Sequence, residues 1–382
     1  MAVPLLDLTR QNAALHGELA AAFERVLRSG HFIQGPEVET FEKESATFLG
    51  VKHAIAVSSG TDAILVSLMA LGIGPGDEVI CPTFTFFATA GCIARVGATP
   101  VFADIDPVTF NLDPADAARR ITPRTKAILP VHLFGQSAEM APLTTLAQAH
   151  RLAVIEDAAQ SFGARYRDRS CGTIGDLGAF SFFPSKNLGG FGDGGLVATG
   201  RDELAEKVRL LRTHGAKPKY YHKIVGGNFR LDAVQCALLR VKLPHLPGYI
   251  AARQRNAAFY TEQLARLPDV FVGSSLEPPA GARLILPVAL PHCGHIWNQY
   301  TLRVPGAGRR DALKQHLAGK GIGTEIYYPL PLHRQECFAR LPSASLPVAE
   351  RLAGEVLSIP VFPELTDIEA REIAMGLASF LG

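Results

Sequence analysis

Charge is scarce in this sequence: Asp, Glu, Lys and Arg make up 19% of the 382 residues, while apolar residues make up 47%. So thin a charged coat leaves much apolar surface on a lone monomer, which favours an oligomer. Neither sign dominates, since 38 Lys and Arg against 36 Asp and Glu leave a net charge of +2. That balance excludes the broad electrostatic footprint of a protein for DNA, RNA or an anionic membrane, and any anion bound must be held locally. The six cysteines (Cys81, Cys92, Cys171, Cys236, Cys293, Cys337) contain no C-x-x-C pair. Neither a zinc ribbon nor a disulfide framework is indicated, no metal is expected, and a reducing cytoplasm fits best. No apolar run reaches the roughly 18 residues of a membrane span. Asp7 and Arg10 stand where a signal peptide needs its hydrophobic region. Repeats with periods of about 20 to 50 residues and low-complexity segments are lacking too.

What is present is the pattern of an enzyme-sized α/β protein. Leu15, Leu19, Ala22, Phe23 and Val26 recur at helical spacing, and Pro36 to Gly50 opens on Pro and closes on Gly, so two helices are expected before the first strand. Short β-branched runs then alternate with amphipathic segments: 54–58, 78–82, 99–105, 126–133 and 153–157. Apolar strands with helical crossovers predict a three-layer αβα arrangement around a mostly parallel sheet, with ligands bound beyond the strand C-termini. The glycine-punctuated stretch 163–183 reads as antiparallel strands. A Pro-containing joint, LPHLPG, places a boundary near residue 245, giving a large domain over 1–245 and a smaller C-terminal α+β domain over 246–382. In the latter, LILPVAL and YTLRV read as strands and 309–320, 346–357 and 366–380 as helices.

The chemistry concentrates in SFFPSKNLGGFGDGG, residues 181–195, where Lys186 lies between a strand end and a glycine-rich loop. The Walker pattern G-x-x-x-x-G-K-[ST] is absent, which leaves a nucleotide triphosphatase without support. A lysine amine can instead form a Schiff base with a carbonyl where burial or a nearby cation lowers its pKa. Taken alone, a loop lysine is far more often merely solvated. A second signal changes the odds: 29 residues earlier, AVIEDAAQSFG ends an apolar strand on Glu156 and Asp157. An acid there faces the ligand crevice, and pyridoxal phosphate requires a carboxylate against its pyridine nitrogen. Asp157 is the candidate, with helix or turn capping as the alternative, and Gln160 is placed to reach the phenolic oxygen.

Two further signals concern binding. In SSGTDAIL a strand passes through Ser58, Ser59, Gly60 and Thr61 into a helix whose free amides and hydroxyls form an anion cup, although small polar residues also cap helices for stability alone. In PTFTFFATA one aromatic, Phe86, is placed to stack on a flat ring, and one or two of Phe84, Phe86 and Phe87 are expected in the core.

These four signals, in this order, resemble the DegT/StrS-type nucleotide-sugar aminotransferases of the aspartate-aminotransferase (type I) fold. The resemblance covers nearly the whole chain and includes GGNFRLDAVQCALLRVKL and GIGTEIYYPLPLH. It implies pyridoxal 5'-phosphate as cofactor, Lys186 as the Schiff-base lysine and proton carrier, Asp157 as the partner of the pyridine nitrogen and Gln160 as the phenolic contact. Phe86 is implied as the stacking aromatic, and Gly60, Thr61 and Ser181 as phosphate ligands. Asn228 is implied to reach that phosphate from the other subunit, which makes the active unit a homodimer with shared sites. Members that dehydrate carry histidine in place of the lysine, so Lys186 favours transamination. The implied reaction takes an amino group from glutamate, releases 2-oxoglutarate, and delivers the amine to a keto-sugar nucleotide.

Segment 214–230 gathers His214, Lys217, Lys219, His222, Lys223 and Arg230 in an otherwise neutral protein. Lys217 and Lys219 are placed to hold a diphosphate, and Arg230 a carboxylate; a solvated loop is the alternative. Tyr327, Tyr328 and His333 match the family's sugar-facing segment, or else form a turn set by Pro329 and Pro331. The combination most resembles members that aminate carbon 3 of a UDP-linked N-acetyl keto sugar on the way to diamino sugars of lipopolysaccharide. A dTDP-4-keto-6-deoxyhexose aminotransferase and a non-catalytic cofactor-binding regulator are the alternatives.

Overall fold

The computed structural model describes residues 2–342 and 345–382. Helices α1 (Leu8–Ala14), α2 (His16–Ser29) and α3 (Pro36–Leu49) precede the first strand, one more than the sequence suggested. The additional helix is short and capped by Asp7, whose carboxylate accepts from the Thr9 amide. Gly50 ends α3 in the left-handed region at φ 68°, where a residue without a Cβ is least strained.

The main sheet is built from β1 (His53–Val57), β2 (Glu78–Pro82), β3 (Thr99–Ala103), β4 (Thr125–Ile128) and β5 (Ala153–Asp157). A short hairpin follows, β6 (Arg165–Tyr166) and β7 (Arg169–Ser170), and then β8 (Leu177–Ser181) and β9 (Gly195–Thr199) complete the sheet. The order is β1-β9-β8-β5-β4-β2-β3. Every neighbouring pair is parallel except those made by β9, which runs against both β1 and β8. The expectation of antiparallel strands over 163–183 therefore holds for the hairpin and for the β8–β9 side of β8, but on its other side β8 joins β5 in parallel. Pro130 and the turn around Leu133 end β4 earlier than expected.

Alternation along the strands sorts side chains into two layers. Ile55, Val57 and Val197 face one core with helix α4 (Gly60–Ala70), while Ala54, Ala56, Leu196 and Ala198 face the other with Phe41, Phe180 and Phe182. Helix α4 is apolar nearly all round because it is covered on both sides. The remaining large-sheet helices are α5 (Ala88–Arg95), α6 (Pro114–Arg119), α7 (Met140–His150), α8 (Asp202–Leu211) and α9 (Ala233–Lys242).

A turn at Leu243–His245 leads into α10 (Leu246–Leu264). Beyond it β10 (Val270–Val272), β11 (Leu284–Leu286), β13 (Tyr300–Arg303) and β14 (Val356–Ile359) form a second sheet, while β12 (Cys293–Gly294) pairs with β6. Helices α11 (Arg309–Gly319), α12 (Pro347–Ala353) and α13 (Asp367–Leu381) complete this part. The helix expected over 346–357 stops at Ala353, and the β-branched run after Gly354 becomes strand β14 against β13. Val3 belongs to this second core: its backbone pairs with Gly321 and Gly323, so the N-terminal residues pack with the C-terminal ones. Among the described residues no helix is long and apolar enough to cross a membrane.

Candidate active site

The C-terminal ends of β1, β2, β5 and β8 and the start of the antiparallel β9 converge on one edge of the main sheet. They open into a cavity of about 690 Å³. Lys186 and Asp157 both line it. Lys186 stands on the loop between β8 and β9, its amide donating to the Phe183 carbonyl at 2.8 Å. Enclosure by the cavity walls lowers its pKa from 10.5 to about 8, against the pull of the Asp157 charge. Asp157 is buried, and burial raises its carboxyl above the ordinary value. The Thr89 hydroxyl donates to it at 2.8 Å, the Ala159 amide donates at 3.2 Å, and both oppose that rise. Each group is thus held toward its neutral form, and a cation against Asp157 would relieve the strain on the carboxylate.

Strand alternation decides which of the two adjacent acids faces the cavity. Glu156 points to the other side of β5, where it accepts from the amides of Gly172, Ile174 and Gly175 and from His132 Nε2 at 2.8 Å. Since His132 Nδ1 accepts from the Ala138 amide, its proton lies on Nε2. This buried pair anchors structure and leaves Asp157 as the acid for a ligand.

The anion cup is formed by the turn from β1 into α4. Ser59 caps the helix through the Asp62 amide at 3.0 Å, and the first backbone bond of the helix is Ala63 to Ser59. The amides of Gly60 and Thr61 therefore lie before the helical ladder and remain available to a ligand. A Cβ on Gly60 would lie 2.7 Å from that of Ser181, so glycine is what allows the turn to close on the end of β8. The hydroxyls of Ser58 and Ser59 are oriented by Asp62, at 2.6 and 3.0 Å.

Aromatics form the opposite wall. Phe84 is core, as expected for part of its segment, whereas Phe86 is 58% exposed and lines the cavity beside Phe87. Gln160 is locked in place: its Oε1 accepts from the Phe134 amide at 2.6 Å and its Nε2 donates to the Tyr328 hydroxyl at 3.3 Å. Burial and the Asp157 charge raise the Tyr328 phenol well above its ordinary value, keeping its proton available for donation. Tyr327 lines the same wall.

Gly60, Thr61, Phe86, Asp157, Gln160, Ser181, Lys186, Tyr327 and Tyr328 therefore meet in one cavity. His333 does not. Its Nδ1 binds the Thr83 hydroxyl at 2.6 Å and its Nε2 binds Glu350 at 2.9 Å, so both nitrogens are spent fastening the segment, one to the residue after β2 and the other to α12. Asn228 is exposed and Arg230 half-buried outside the cavity, Lys217 pairs with Glu206 at 2.7 Å, and Lys219 lies 5.0 Å over Tyr220. Within one chain these four do not reach the cavity. Thr89, Asp193, Phe183, Gln299 and Glu325 were missed by sequence reasoning. Thr89, bonded to the Thr85 hydroxyl at 3.1 Å, carried no sequence signal, since Thr85 precedes the helix on which Thr89 stands.

The chain is similar to known proteins over its full length. Residues 14–378 match the model of the DegT/DnrJ/EryC1/StrS aminotransferase family. A Pleiotropic regulatory protein of Geobacillus stearothermophilus is 47% identical over all of this chain and 99% of its own. A UDP-N-acetyl-3-dehydro-alpha-D-glucosamine 3-aminotransferase of Acidithiobacillus ferrooxidans is 45% identical over 98% of this chain and 96% of its own. The crystal structure of S. venezuelae DesV in complex with a ketimine intermediate superposes with a TM-score of 0.92 at 43% identity, covering 99% of this chain and 98% of that one. The fold is that of the type I aminotransferases, and the chain belongs to the DegT/DnrJ/EryC1/StrS family of aminotransferases, whose cofactor is pyridoxal 5'-phosphate.

Proposed function

We propose that this protein transfers an amino group from glutamate to a UDP-linked 3-keto N-acetyl sugar, in the cytoplasm, supplying an amino sugar for lipopolysaccharide. The observation that carries this reading is a lysine of lowered pKa and a buried carboxylate facing one cavity that also contains a helix-start anion cup. The cavity fits pyridoxal phosphate: the Gly60 and Thr61 amides and the Ser181 hydroxyl suit the phosphate, Asp157 suits a protonated ring nitrogen, and Phe86 suits a ring face. When bound, the cofactor supplies an electron sink for the carbon from which a proton is removed.

The chain's own residues supply the rest. Lys186 would hold the cofactor and, as a free amine, would take and return a proton at the substrate carbon, a task its lowered pKa suits. Thr89 fixes the Asp157 carboxylate, and Gln160 and Tyr328, bonded to each other, would offer donors to the cofactor. Among the described cavity residues Lys186 is the one basic side chain, so cations for a diphosphate and for the donor's carboxylates must come from elsewhere. We assign them to segment 214–230 of a second copy, with Asn228 at the phosphate and Lys217, Lys219 and Arg230 at the substrates. The exposed Phe32, Ile33, Phe183, Tyr220, Tyr221 and Val225 support such a dimer. The proposed domains are 1–245 and 246–382, with the N-terminal residues packed against the second.

Glu325 favours a neutral sugar. Its carboxylate lines the cavity two residues before Tyr327 and is tied to the Ile326 amide at 2.8 Å and to Lys314 at 3.3 Å. It offers a hydroxyl an acceptor and meets a uronic acid with like charge. The relative from Acidithiobacillus supports the UDP-linked 3-keto sugar, while the dTDP-sugar transaminase of Streptomyces venezuelae, 44% identical, supports a dTDP sugar as the second reading. The regulatory name of the Geobacillus relative keeps a regulator in view.

The discriminating experiment loads the protein with pyridoxamine phosphate and offers 3-keto and 4-keto sugars on UDP and dTDP. The UDP-linked 3-keto N-acetyl sugar is expected to restore the visible absorbance of the aldehyde cofactor fastest. Preference for a dTDP 4-keto sugar would overturn the substrate assignment, and cofactor binding with no turnover of any sugar would leave the regulator.

A further inference from the structure

Lys242, the last residue of α9, is only 2% exposed, yet among the described residues no carboxylate lies within 4.0 Å of its ammonium. The Glu364 carboxylate acts on it only from beyond contact distance, a buried lysine with no ion pair is costly, and a methionine of similar length would fill the same space without that cost. What the ammonium touches is the loop that carries Lys186. Its Nζ donates to the Gly189 carbonyl at 3.0 Å and lies 4.9 Å over the ring of Phe191. Two helical turns earlier on the same face of α9, Gln235 Oε1 accepts from the Phe191 amide at 2.8 Å.

The loop is built to be held this way. Its backbone folds back on itself, with the Gly190 amide donating to the Phe182 carbonyl and the Lys186 amide to that of Phe183, both at 2.8 Å. A Cβ at Gly189 would lie 2.2 Å from the Pro184 carbonyl oxygen, and one at Gly190 2.9 Å from Gln235 Oε1. Asn187 and Leu188 tether the first part of the loop, Asn187 Nδ2 donating to the Ile296 carbonyl at 3.0 Å and Leu188 lying in the core, whereas Gly189 and Gly190 let the next stretch pack closely but give it no side chain to hold it. Gln235 and Lys242 of α9 supply that hold at Phe191 and Gly189, and neither lines the cavity.

We propose that Lys242, together with Gln235, is a positioning residue for Lys186: it clasps the Gly189 carbonyl and the Phe191 ring and so sets where the Lys186 amine stands. This rests on the reading of Lys186 as the cofactor lysine. The clasp acts on proton transfer, which depends on the exact location of the amine, and not on capture of the sugar at the far wall.

The test compares the holoenzyme with Lys242→Met and Gln235→Leu. Both should melt within a few degrees of the wild type and show faster amide hydrogen exchange confined to 183–194. Both should lose about tenfold or more in kcat with KM for the keto sugar within about twofold. Borohydride trapping of cofactor on Lys186, followed by peptide mass, should slow in both, and Lys242→Arg, which keeps a donor, should recover part of the loss. Wild-type kcat and exchange in both variants would overturn the proposal, as would a general rise in exchange with a lowered Tm in both, which marks plain core packing. A wild-type protein that traps no cofactor on Lys186 would instead remove the reading beneath the proposal, so the two failures are distinguishable.

Discussion

The hydroxyl of Thr89 donates to the buried carboxylate of Asp157 at 2.8 Å, which joins the first turn of α5 to the end of β5 at the cavity. The bond keeps one carboxylate oxygen satisfied while the other, bonded by the Ala159 amide, stays beside the ligand space. Thr89→Val preserves shape but leaves a buried oxygen without that donor, a loss of about 1–3 kcal/mol. The protein without cofactor should melt lower, and kcat should fall by about tenfold as Asp157 loses its orientation. Unchanged melting and turnover would show that the threonine does not hold the carboxylate.

Lys186 makes stability depend on pH in a defined direction. Burial brings its pKa to about 8 in the folded chain, against 10.5 for an ordinary lysine. Below pH 8 the charge is present in both folded and unfolded chains, and the fold bears the cost of its desolvation. Between about 8 and 10.5 the unfolded chain holds more protons, so stability rises with pH, and above that range the penalty is gone. Lys186→Met removes the cost. Without cofactor it should be more stable than the wild type by roughly 3 kcal/mol at pH 7, with the gap closing across that window. Denaturant titrations at several pH values read this out, and a constant gap would contradict it.

Asn228 lies outside the cavity of its own chain, so the dimer reading makes a complementation prediction. Lys186→Ala and Asn228→Ala dimers should each be impaired. Mixed and refolded together in equal amounts, they should regain about a quarter of wild-type sites, because half the dimers are mixed and each holds one intact site. No recovery beyond the sum of the parents would indicate that Asn228 acts within its own chain or not at all.

Glu325 also lines the cavity, and on the proposed reading Glu325→Gln removes the like charge that a uronic acid would meet. The ratio of kcat/KM for a UDP-linked 3-keto uronate to that for the neutral N-acetyl sugar should rise about tenfold, equivalent to about 1.4 kcal/mol. An unchanged ratio would remove Glu325 from the specificity account.

How much of this was legible in the sequence differs by level. Strand periodicity located β2 and β5 to the residue, because both are buried on two faces and read as continuous apolar runs. The same local signal could not assign β8 its partners, since parallel pairing with β5 depends on contacts far apart in the chain. It also missed β14, where a helical pattern gives way after Gly354 to a strand stabilised by β13. At the site, Lys186, Asp157 and the Gly60 turn were visible because their chemistry requires particular residue types next to glycines or strand ends. The position of His333 outside the cavity was not legible, because a histidine in such a segment looks available until its two partners, Thr83 and Glu350, are seen. Thr89 and Lys242 were silent because their importance lies in what they touch.

The most direct test of the central claim follows a single turnover. Protein loaded with pyridoxamine phosphate is mixed with the UDP-linked 3-keto N-acetyl sugar, and visible absorbance is recorded for the wild type and for Lys186→Ala. Wild-type protein should convert the cofactor to its coloured aldehyde form and release the amino sugar, while the variant, its cofactor bound but its proton carrier gone, should slow by about a thousandfold or more. Conversion at the same rate in both proteins would contradict the assignment of Lys186.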